Sequence, residues 1–183
     1  MKKVILFFAF ALVLTAASAQ EKKETEKKDA KEVFDKIMGD KKLPDLVLSD
    51  INGKQVNVSE LNKDGKLTVV SFWATWCVPC KKELSNIHEL YPEWKEKYNV
   101  KLVAVSIDDS RSSVKVKPYI DGQSWEYDVL LDPNSDFKRN MNIQNVPFTL
   151  VIDKDGTIVH THSGYVDGDE FALEDVLAKL AKK

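Results

Sequence analysis

The sequence predicts an α/β fold in which a mixed central sheet is flanked by helices. Short apolar runs alternate with segments of helical periodicity, which is typical of strands that pack against helices. Residues 67–73 form a continuous run of β-branched and aromatic residues, as expected for a strand covered on both faces. Turn signals at Asn52-Gly53 and at residues 154–156 (Lys-Asp-Gly) predict hairpins, and these make the sheet mixed rather than purely parallel.

The first half of the folded region begins with a hairpin and a long helix. Residues 45–49 and 55–58 flank Asn52-Gly53, and both central residues of such a turn need positive φ. Residues 79–98 predict a helix because apolar side chains recur at intervals of three and four. Pro79 fits the first turn of this helix, whereas Pro92 is expected to kink it.

The second half continues the alternation of strands and helices. The predicted strands are residues 101–107, 127–131, 148–152 and 157–161. The predicted helices are residues 114–120, 135–141 and 169–182. The last two strands flank the Lys-Asp-Gly turn as a hairpin, and the last helix closes the domain with one apolar face.

Length and charge limit the classes of function. The chain has 183 residues, which is enough for one domain with a sizeable core. It carries 27 Lys+Arg against 29 Asp+Glu, so electrostatics give no reason to expect binding of nucleic acid. Its two cysteines are too few for the disulfide framework of a small secreted domain.

The first 19 residues have the layout of a secretory signal peptide. A basic start precedes an eleven-residue apolar run, and Ala17-Ser18-Ala19 offers a cleavage site. The apolar run is shorter than the roughly 20 residues that span a bilayer, and an uncleaved anchor is the alternative. We therefore expect a periplasmic or secreted protein. Residues 20–40 are expected to be a charged tether, since their first part contains no large apolar side chain, and residues 41–183 to form the folded domain.

The cysteines, Cys77 and Cys80, stand at the start of the predicted long helix, soon after strand 67–73. There Cys77 faces unpaired backbone N–H groups and the positive end of the helix dipole, and both favour the thiolate. Cys80 lies one turn further on, where it can resolve a mixed disulfide formed at Cys77. Between them, Pro79 keeps the chain rigid, and neither Val78 nor Pro79 adds charge.

The cysteine pair has two alternative interpretations, as part of a zinc site or as a purely structural disulfide. A zinc site needs about four ligands, usually with a second pair at similar spacing. The chain has three histidines: His88, His160 and His162. His160 and His162 share one face of a predicted strand, but we expect their side chains to be solvated because the strand lies at the edge of a hairpin. Three acids follow predicted strands, where loop solvation explains them more simply than a metal: Asp108, Asp109 and Asp132. A purely structural disulfide would close a loop too short to constrain the unfolded chain much. We expect no metal.

Residues 71–83 (Ser-Phe-Trp-Ala-Thr-Trp-Cys-Val-Pro-Cys-Lys-Lys-Glu) resemble the active-site signature of the thioredoxin superfamily. They are most similar to the TlpA/ResA-like secreted thiol-disulfide oxidoreductases, which include the thioredoxins of cytochrome c maturation and are related to the AhpC/TSA group. Residues 43–46 and the Asn52-Gly53 hairpin resemble that group's N-terminal extension, and residues 145–153 resemble its cis-proline strand. The resemblance implies a thioredoxin-like fold with an N-terminal β-hairpin extension and an inserted strand-helix unit at about residues 127–141.

The same resemblance assigns roles to residues outside the cysteine pair. It implies that Pro147 is a cis-proline packed against the disulfide and that the Val146 backbone offers hydrogen bonds to an extended substrate. Cytoplasmic thioredoxins carry a buried acid where this chain has Ser71, whereas the TlpA/ResA-like group carries an acid at the position of Glu83. Because Glu83 is one turn from Cys80, we expect it to be partly buried and to relay the Cys80 proton. Alternatively, Glu83 is a first-turn acid that complements the helix dipole.

The predicted function is a thiol-disulfide oxidoreductase that reduces protein disulfides in the cell envelope through a Cys77/Cys80 dithiol-disulfide cycle. We expect Trp76, Val78 and Pro79 to help bind the substrate, and no cofactor beyond the redox-active disulfide. The expected partners are protein disulfide substrates and an upstream membrane or envelope thiol donor, with no nucleic acid, and the protein is expected to be a monomer. The reducing direction rests on the uncharged Val-Pro dipeptide and on the resemblance, since a strong oxidant needs a more stabilised thiolate.

Two other functions are alternatives to the predicted disulfide reductase. A peroxiredoxin-like thiol peroxidase has a similar N-terminal half, but its Pro-x-x-x-Thr-x-x-Cys motif would need proline and threonine where this chain has Val70 and Ala74. Neither of the two arginines, Arg111 and Arg139, is a clear substitute for the one that activates peroxide. The other alternative is a non-catalytic adaptor on a thioredoxin fold, against which the intact cysteine pair argues.

Overall fold

The computed structural model describes residues 41–182. The expected signal peptide at 1–19 and the charged tether at 20–40 lie outside the described residues. Within residues 41–182, no helix combines the length and the apolar character that crossing a bilayer requires.

The described chain forms seven strands, four α-helices and two short 3-10 turns. The strands are β1 (Val47–Asp50), β2 (Gln55–Asn57), β3 (Leu67–Trp73), β4 (Val100–Ser106), β5 (Asp128–Leu131), β6 (Phe148–Ile152) and β7 (Ile158–Ser163). The helices are α1 (Val78–Tyr98), α2 (Val116–Gln123), α3 (Asp136–Asn140) and α4 (Asp169–Ala181). All four predicted helices and all seven predicted strands are present, with ends shifted by a few residues at most.

The strands form one sheet in the order β2-β1-β5-β4-β3-β6-β7. β3 pairs with β4 in parallel and β4 with β5 in parallel, while the remaining neighbours are antiparallel. The predicted mixed α/β sheet is therefore confirmed. Every residue of β3 is buried, as its continuous apolar run predicts, and α1 and α4 pack against each other and against β3. Along the chain, the strand-helix unit β5-α3 comes between β4 and β6, where the resemblance implies an insertion.

The hairpin that joins β1 to β2 has a different turn from the predicted one. Gly53 has a φ of +84°, as predicted, but Asn52 is not in the positive-φ region, so the prediction was wrong for Asn52. The reason is Asp50, whose carboxylate accepts hydrogen bonds from the backbone N–H groups of Asn52 (2.7 Å) and Lys54 (2.9 Å). This side chain caps the loop, so only the glycine has to adopt the left-handed conformation.

Two helices differ from the sequence prediction in detail. Helix α1 continues through Pro92 and ends at Tyr98, and the next residue, Asn99, caps it in the left-handed conformation with a φ of 51°. Residues 114–120 divide into a 3-10 turn (Ser113–Lys115) and α2, which begins at Val116. This start places Pro118 in the first turn of α2, where its missing N–H costs no helical hydrogen bond.

Candidate active site

The cysteine pair lies at the junction of the central strand and the long helix. β3 ends at Trp73, and Cys77 is the N-cap residue of α1. Cys77 and Cys80 are joined by a disulfide, and the Cys80 backbone N–H donates a hydrogen bond to Cys77 Sγ at 3.3 Å. Cys77 is 5% exposed and Cys80 is 0% exposed. Cys77 is therefore the member of the pair that a substrate disulfide can reach.

An apolar surface surrounds Cys77. Trp76 is 62% exposed and Val78 is 70% exposed, and Pro79 beside them is also exposed. Large apolar side chains left in water next to a reactive sulfur are suited to contact another protein. Their assignment to substrate binding stays a prediction. In contrast, Trp73 lies fully in the core.

A cis peptide bond joins Val146 to Pro147, as the resemblance implies. The antiparallel register pairs Phe148 of β6 with Phe72 of β3, so Pro147 lies at the end of the sheet where the cysteine motif begins. Pro147 is buried, and Val146 packs against the core cluster that contains both cysteines. The fold thus brings two segments that are 70 positions apart in the chain to one end of the sheet.

Glu83 is a buried carboxylic acid beneath the cysteine pair. It is 4% exposed, and its two carboxylate oxygens accept hydrogen bonds from the hydroxyls of Thr149 (2.9 Å) and Ser71 (3.3 Å). Burial raises the pKa of Glu83 from 4.5 to about 7, although the two hydroxyl hydrogen bonds act in the opposite direction. Glu83 lies beyond the first turn of α1, which contains no acidic residue, so the first-turn alternative is wrong.

Thr149 is a site residue that the sequence reasoning missed. It lies two positions after Pro147, within the segment that resembles the cis-proline strand, but that resemblance gave it no role. The pairing of β6 with β3 places it opposite Ser71. Both hydroxyls then converge on Glu83, from two neighbouring strands of the sheet. The position that holds an acid in cytoplasmic thioredoxins is thus occupied by a hydroxyl, which donates to an acid supplied by the helix.

A second buried acid holds the turn that leads to Cys77. The Asp108 carboxylate accepts hydrogen bonds from the Thr75 backbone N–H (2.8 Å), the Thr75 hydroxyl (2.6 Å) and the Ser106 hydroxyl (2.9 Å). Asp108 is fully buried, and so is Asp132, which accepts from three backbone N–H groups at the start of α3. Loop solvation is therefore the wrong explanation for these two acids, and it fits only the exposed Asp109.

Replacing Asp108 with alanine is expected to lower the free energy of unfolding by about 3 kcal/mol, because the Thr75 N–H loses its partner in a buried site. Urea unfolding of the oxidised protein measures this loss. Asp109→Ala is the matched control, since Asp109 is exposed in the same loop, and we expect it to cost less than about 1 kcal/mol. Equal losses in the two variants would show that Asp108 does not anchor the turn.

The two histidines of β7 are not fully solvated. His160 and His162 are both half-buried, and they line a small cavity that Glu83 also lines. The expectation of solvated edge side chains was therefore wrong, because α4 covers this part of the strand. Among residues 41–182, no three His, Cys, Asp or Glu side chains are placed to hold a metal ion together.

Comparison with known proteins identifies the family. A model of the AhpC/TSA family matches residues 39–161. The chain belongs to this family. Within the AhpC/TSA family, it is 31% identical over 130 residues to the thiol-disulfide oxidoreductase ResA of Bacillus anthracis, a match that covers 71% of each protein.

Solved structures show the same fold. A thioredoxin-like protein from Porphyromonas gingivalis is 45% identical, with a TM-score of 0.70 over 76% of this chain and 92% of that one. A Chlorobium tepidum protein described as a thiol:disulfide interchange protein, DsbE, is 26% identical, with a TM-score of 0.67 over 76% of this chain and 95% of that one. The predicted thioredoxin-like fold and the predicted TlpA/ResA-like relationship are both confirmed.

Proposed function

We propose that this protein reduces protein disulfides outside the cytoplasm. Its chemistry is that of a thiol-disulfide oxidoreductase, and the observation that carries this conclusion is the Cys77–Cys80 disulfide at the start of α1 with Cys77 at the surface. The relatives named thiol-disulfide oxidoreductase and thiol:disulfide interchange protein support it.

The reaction transfers two electrons from the reduced cysteine pair to the substrate. The Cys77 thiolate attacks one sulfur of a substrate disulfide, and the other substrate sulfur leaves as a thiolate that takes a proton from solvent. A mixed disulfide between Cys77 and the substrate remains. The Cys80 thiol then loses its proton, and the resulting thiolate attacks Cys77 Sγ. The second substrate thiolate leaves, and the Cys77–Cys80 disulfide forms.

Glu83 is placed to take the Cys80 proton in the second step. It follows Cys80 by one turn on α1, and the Thr149 and Ser71 hydroxyls hold its carboxylate in place. A carboxyl group with a pKa of about 7 is a better acceptor for a thiol proton at neutral pH than an ordinary carboxylate. Cys80 has no exposure to water, so it needs such an internal acceptor.

The direction of electron flow is tested by the reduction potential. The neutral Val78-Pro79 dipeptide offers no charge to stabilise the Cys77 thiolate, so we expect a potential below about −220 mV, in the range of thioredoxin rather than of strong oxidants. Equilibration with glutathione buffers of known ratio measures it. A value near −120 mV, which is typical of a strong periplasmic oxidant, would contradict the reducing role.

The location and the partners belong to the same proposal. The signal-like segment at residues 1–19 supports export, and fractionation of cells that express the full chain tests it. We propose envelope proteins with disulfides as substrates and a membrane or envelope thiol donor as the source of electrons. The monomeric state stays a prediction.

The site gives no support to the thiol peroxidase alternative. Val70 and Ala74, at the motif positions, are buried apolar residues without a hydroxyl to offer a peroxide. Arg111 is exposed in the loop after β4, and Arg139 forms an ion pair with Asp136 at the surface. A peroxide consumption rate that exceeds that of free thiol would revive the alternative.

A further inference from the structure

A small cavity lies behind the active site, and Glu83 forms part of its wall. It has a volume of about 100 Å³ and lies between α1, β6, β7 and α4. Its polar lining comprises Glu83, Thr149, His160, His162, Asp169 and Glu170. Ile87, Ala172 and Leu173 complete the lining and make most of it apolar. The cavity has room for several water molecules, whose hydrogen bonds depend on the polar side chains named above. No step of the disulfide exchange described above uses it.

The register of the last hairpin places both histidines on the same face of the sheet as Thr149, the hydrogen-bond partner of Glu83. β7 pairs antiparallel with β6, and this places His162 opposite Thr149, whose hydroxyl donates to Glu83. His160 is two residues earlier on β7, and side chains two apart lie on the same face of a strand. The two imidazoles are therefore on the face of the sheet that α1 and α4 cover.

The lining runs from a buried acid to the surface. Glu83 is 4% exposed, whereas the side chains of His162 and Asp169 are 41% and 25% exposed. His162 Nε2 is 3.1 Å from Asp169 Oδ2, so a carboxylate is in place to stabilise an imidazolium at the outer end. The cavity thus joins the carboxyl group beneath the cysteines to bulk water through groups that can accept and release protons.

Two titratable groups around the cavity have shifted pKa values that bear on proton transfer. Burial, and then the neighbouring His162, lower the pKa of His160, so this imidazole is neutral at pH 7 and holds a proton only transiently. From α4, the negative charges of Asp169 and Glu170 add to the effect of burial in raising the pKa of Glu83.

We propose that this cavity is the route by which the proton taken up by Glu83 leaves for solvent, with His160 and His162 as its carriers. The inference rests on the relay role proposed for Glu83. When the mixed disulfide is present, substrate covers the surface at Cys77, so a proton must leave on the other side. Protonated Glu83 gives the proton to cavity water, an imidazole accepts it, and the imidazolium releases it to bulk water. The carboxylate is thereby restored before the Cys80 thiolate can take the proton back, and no electrons move.

The double variant His160→Gln/His162→Gln tests the route. Acid-quenched flow with a disulfide-bonded peptide follows formation and resolution of the mixed disulfide separately, in dilute non-nucleophilic buffer at pH 7. We expect resolution to slow by about tenfold, a fraction of what a positioned proton-transfer group contributes, with formation at Cys77 unchanged. Added imidazole should restore the rate. His88→Gln makes the same change outside the cavity. It is the matched control, and it should leave the rate of resolution unchanged.

A second variant leaves both histidines intact and obstructs the cavity. Ala172 lines the cavity from the exposed side of α4, so Ala172→Leu should narrow it and slow resolution, while Ala178→Leu on the same helix should not. If the mixed disulfide is resolved at the wild-type rate in both cavity variants but slowly in Glu83→Gln, the proposed route is wrong and the relay by Glu83 stands. If the histidine variant is slow but imidazole does not rescue it, the histidines are structural and the route is wrong. If Glu83→Gln itself is unaffected, the relay fails and the route fails with it.

Discussion

Replacing Cys77 with serine is expected to lower the rate of insulin reduction by about a thousandfold or more, as expected for loss of a catalytic nucleophile. Cys80 cannot take over the first attack, because it is 0% exposed and lies behind Cys77 on the first turn of α1. The hydroxyl of serine is a far weaker nucleophile than a thiolate at neutral pH. The measurement is the rate of insulin precipitation with dithiothreitol as electron donor.

Cys80→Ser is the matched control for this result. It keeps the nucleophile Cys77, so it should form a mixed disulfide with insulin that accumulates, because the resolving thiol is absent. The same variant, expressed with the full chain, captures the natural partners of Cys77 for identification. Both variants lose the disulfide, so each is compared with reduced wild-type protein in urea unfolding to show that the fold is retained. Unchanged insulin reduction by Cys77→Ser would overturn the proposed function and favour the non-catalytic adaptor.

Glu83→Gln is expected to slow resolution of the mixed disulfide by about a hundredfold at pH 7, at the lower end of the contribution of a general base. The amide keeps the size of the side chain and can still accept from Thr149, but it cannot take a proton from Cys80. Attack by Cys77 on the substrate should be unaffected, since Glu83 is buried away from the surface.

The pH profile distinguishes the relay from a structural role. Glu83 accepts a proton only as a carboxylate, and its pKa is about 7, so the wild-type resolution rate should rise as pH increases through 7. In Glu83→Gln this rise should vanish, and only the ionisation of the thiol should remain, at higher pH. Glu89→Gln, an exposed acid on the same helix, is the control and should keep the wild-type profile. A wild-type profile and rate for Glu83→Gln would leave the relay without support.

Structural features that depend only on residues close together in the sequence were predicted correctly. The runs at 67–73 and 148–152 match β3 and β6 residue for residue, because a strand buried on both faces needs a predominantly apolar sequence. The Cys77/Cys80 spacing and its place at a helix start are also local properties. The turn at Gly53 shows where local reasoning failed, since the Asp50 side chain altered a turn that the dipeptide alone did not determine.

The sequence by itself determined the class of fold, the position of the disulfide and the residue types available for its chemistry. Only the tertiary structure decided which polar groups surround that disulfide. Thr149 is 66 positions from Glu83, and Asp108 is 33 positions from Thr75, so no periodicity or motif connects them. Strand register and helix packing bring these groups together, and the burial that results raises the pKa of Glu83 and places His160 and His162 at the cavity behind it. Burial and pairing depend on contacts between distant segments, and a linear pattern does not specify those contacts.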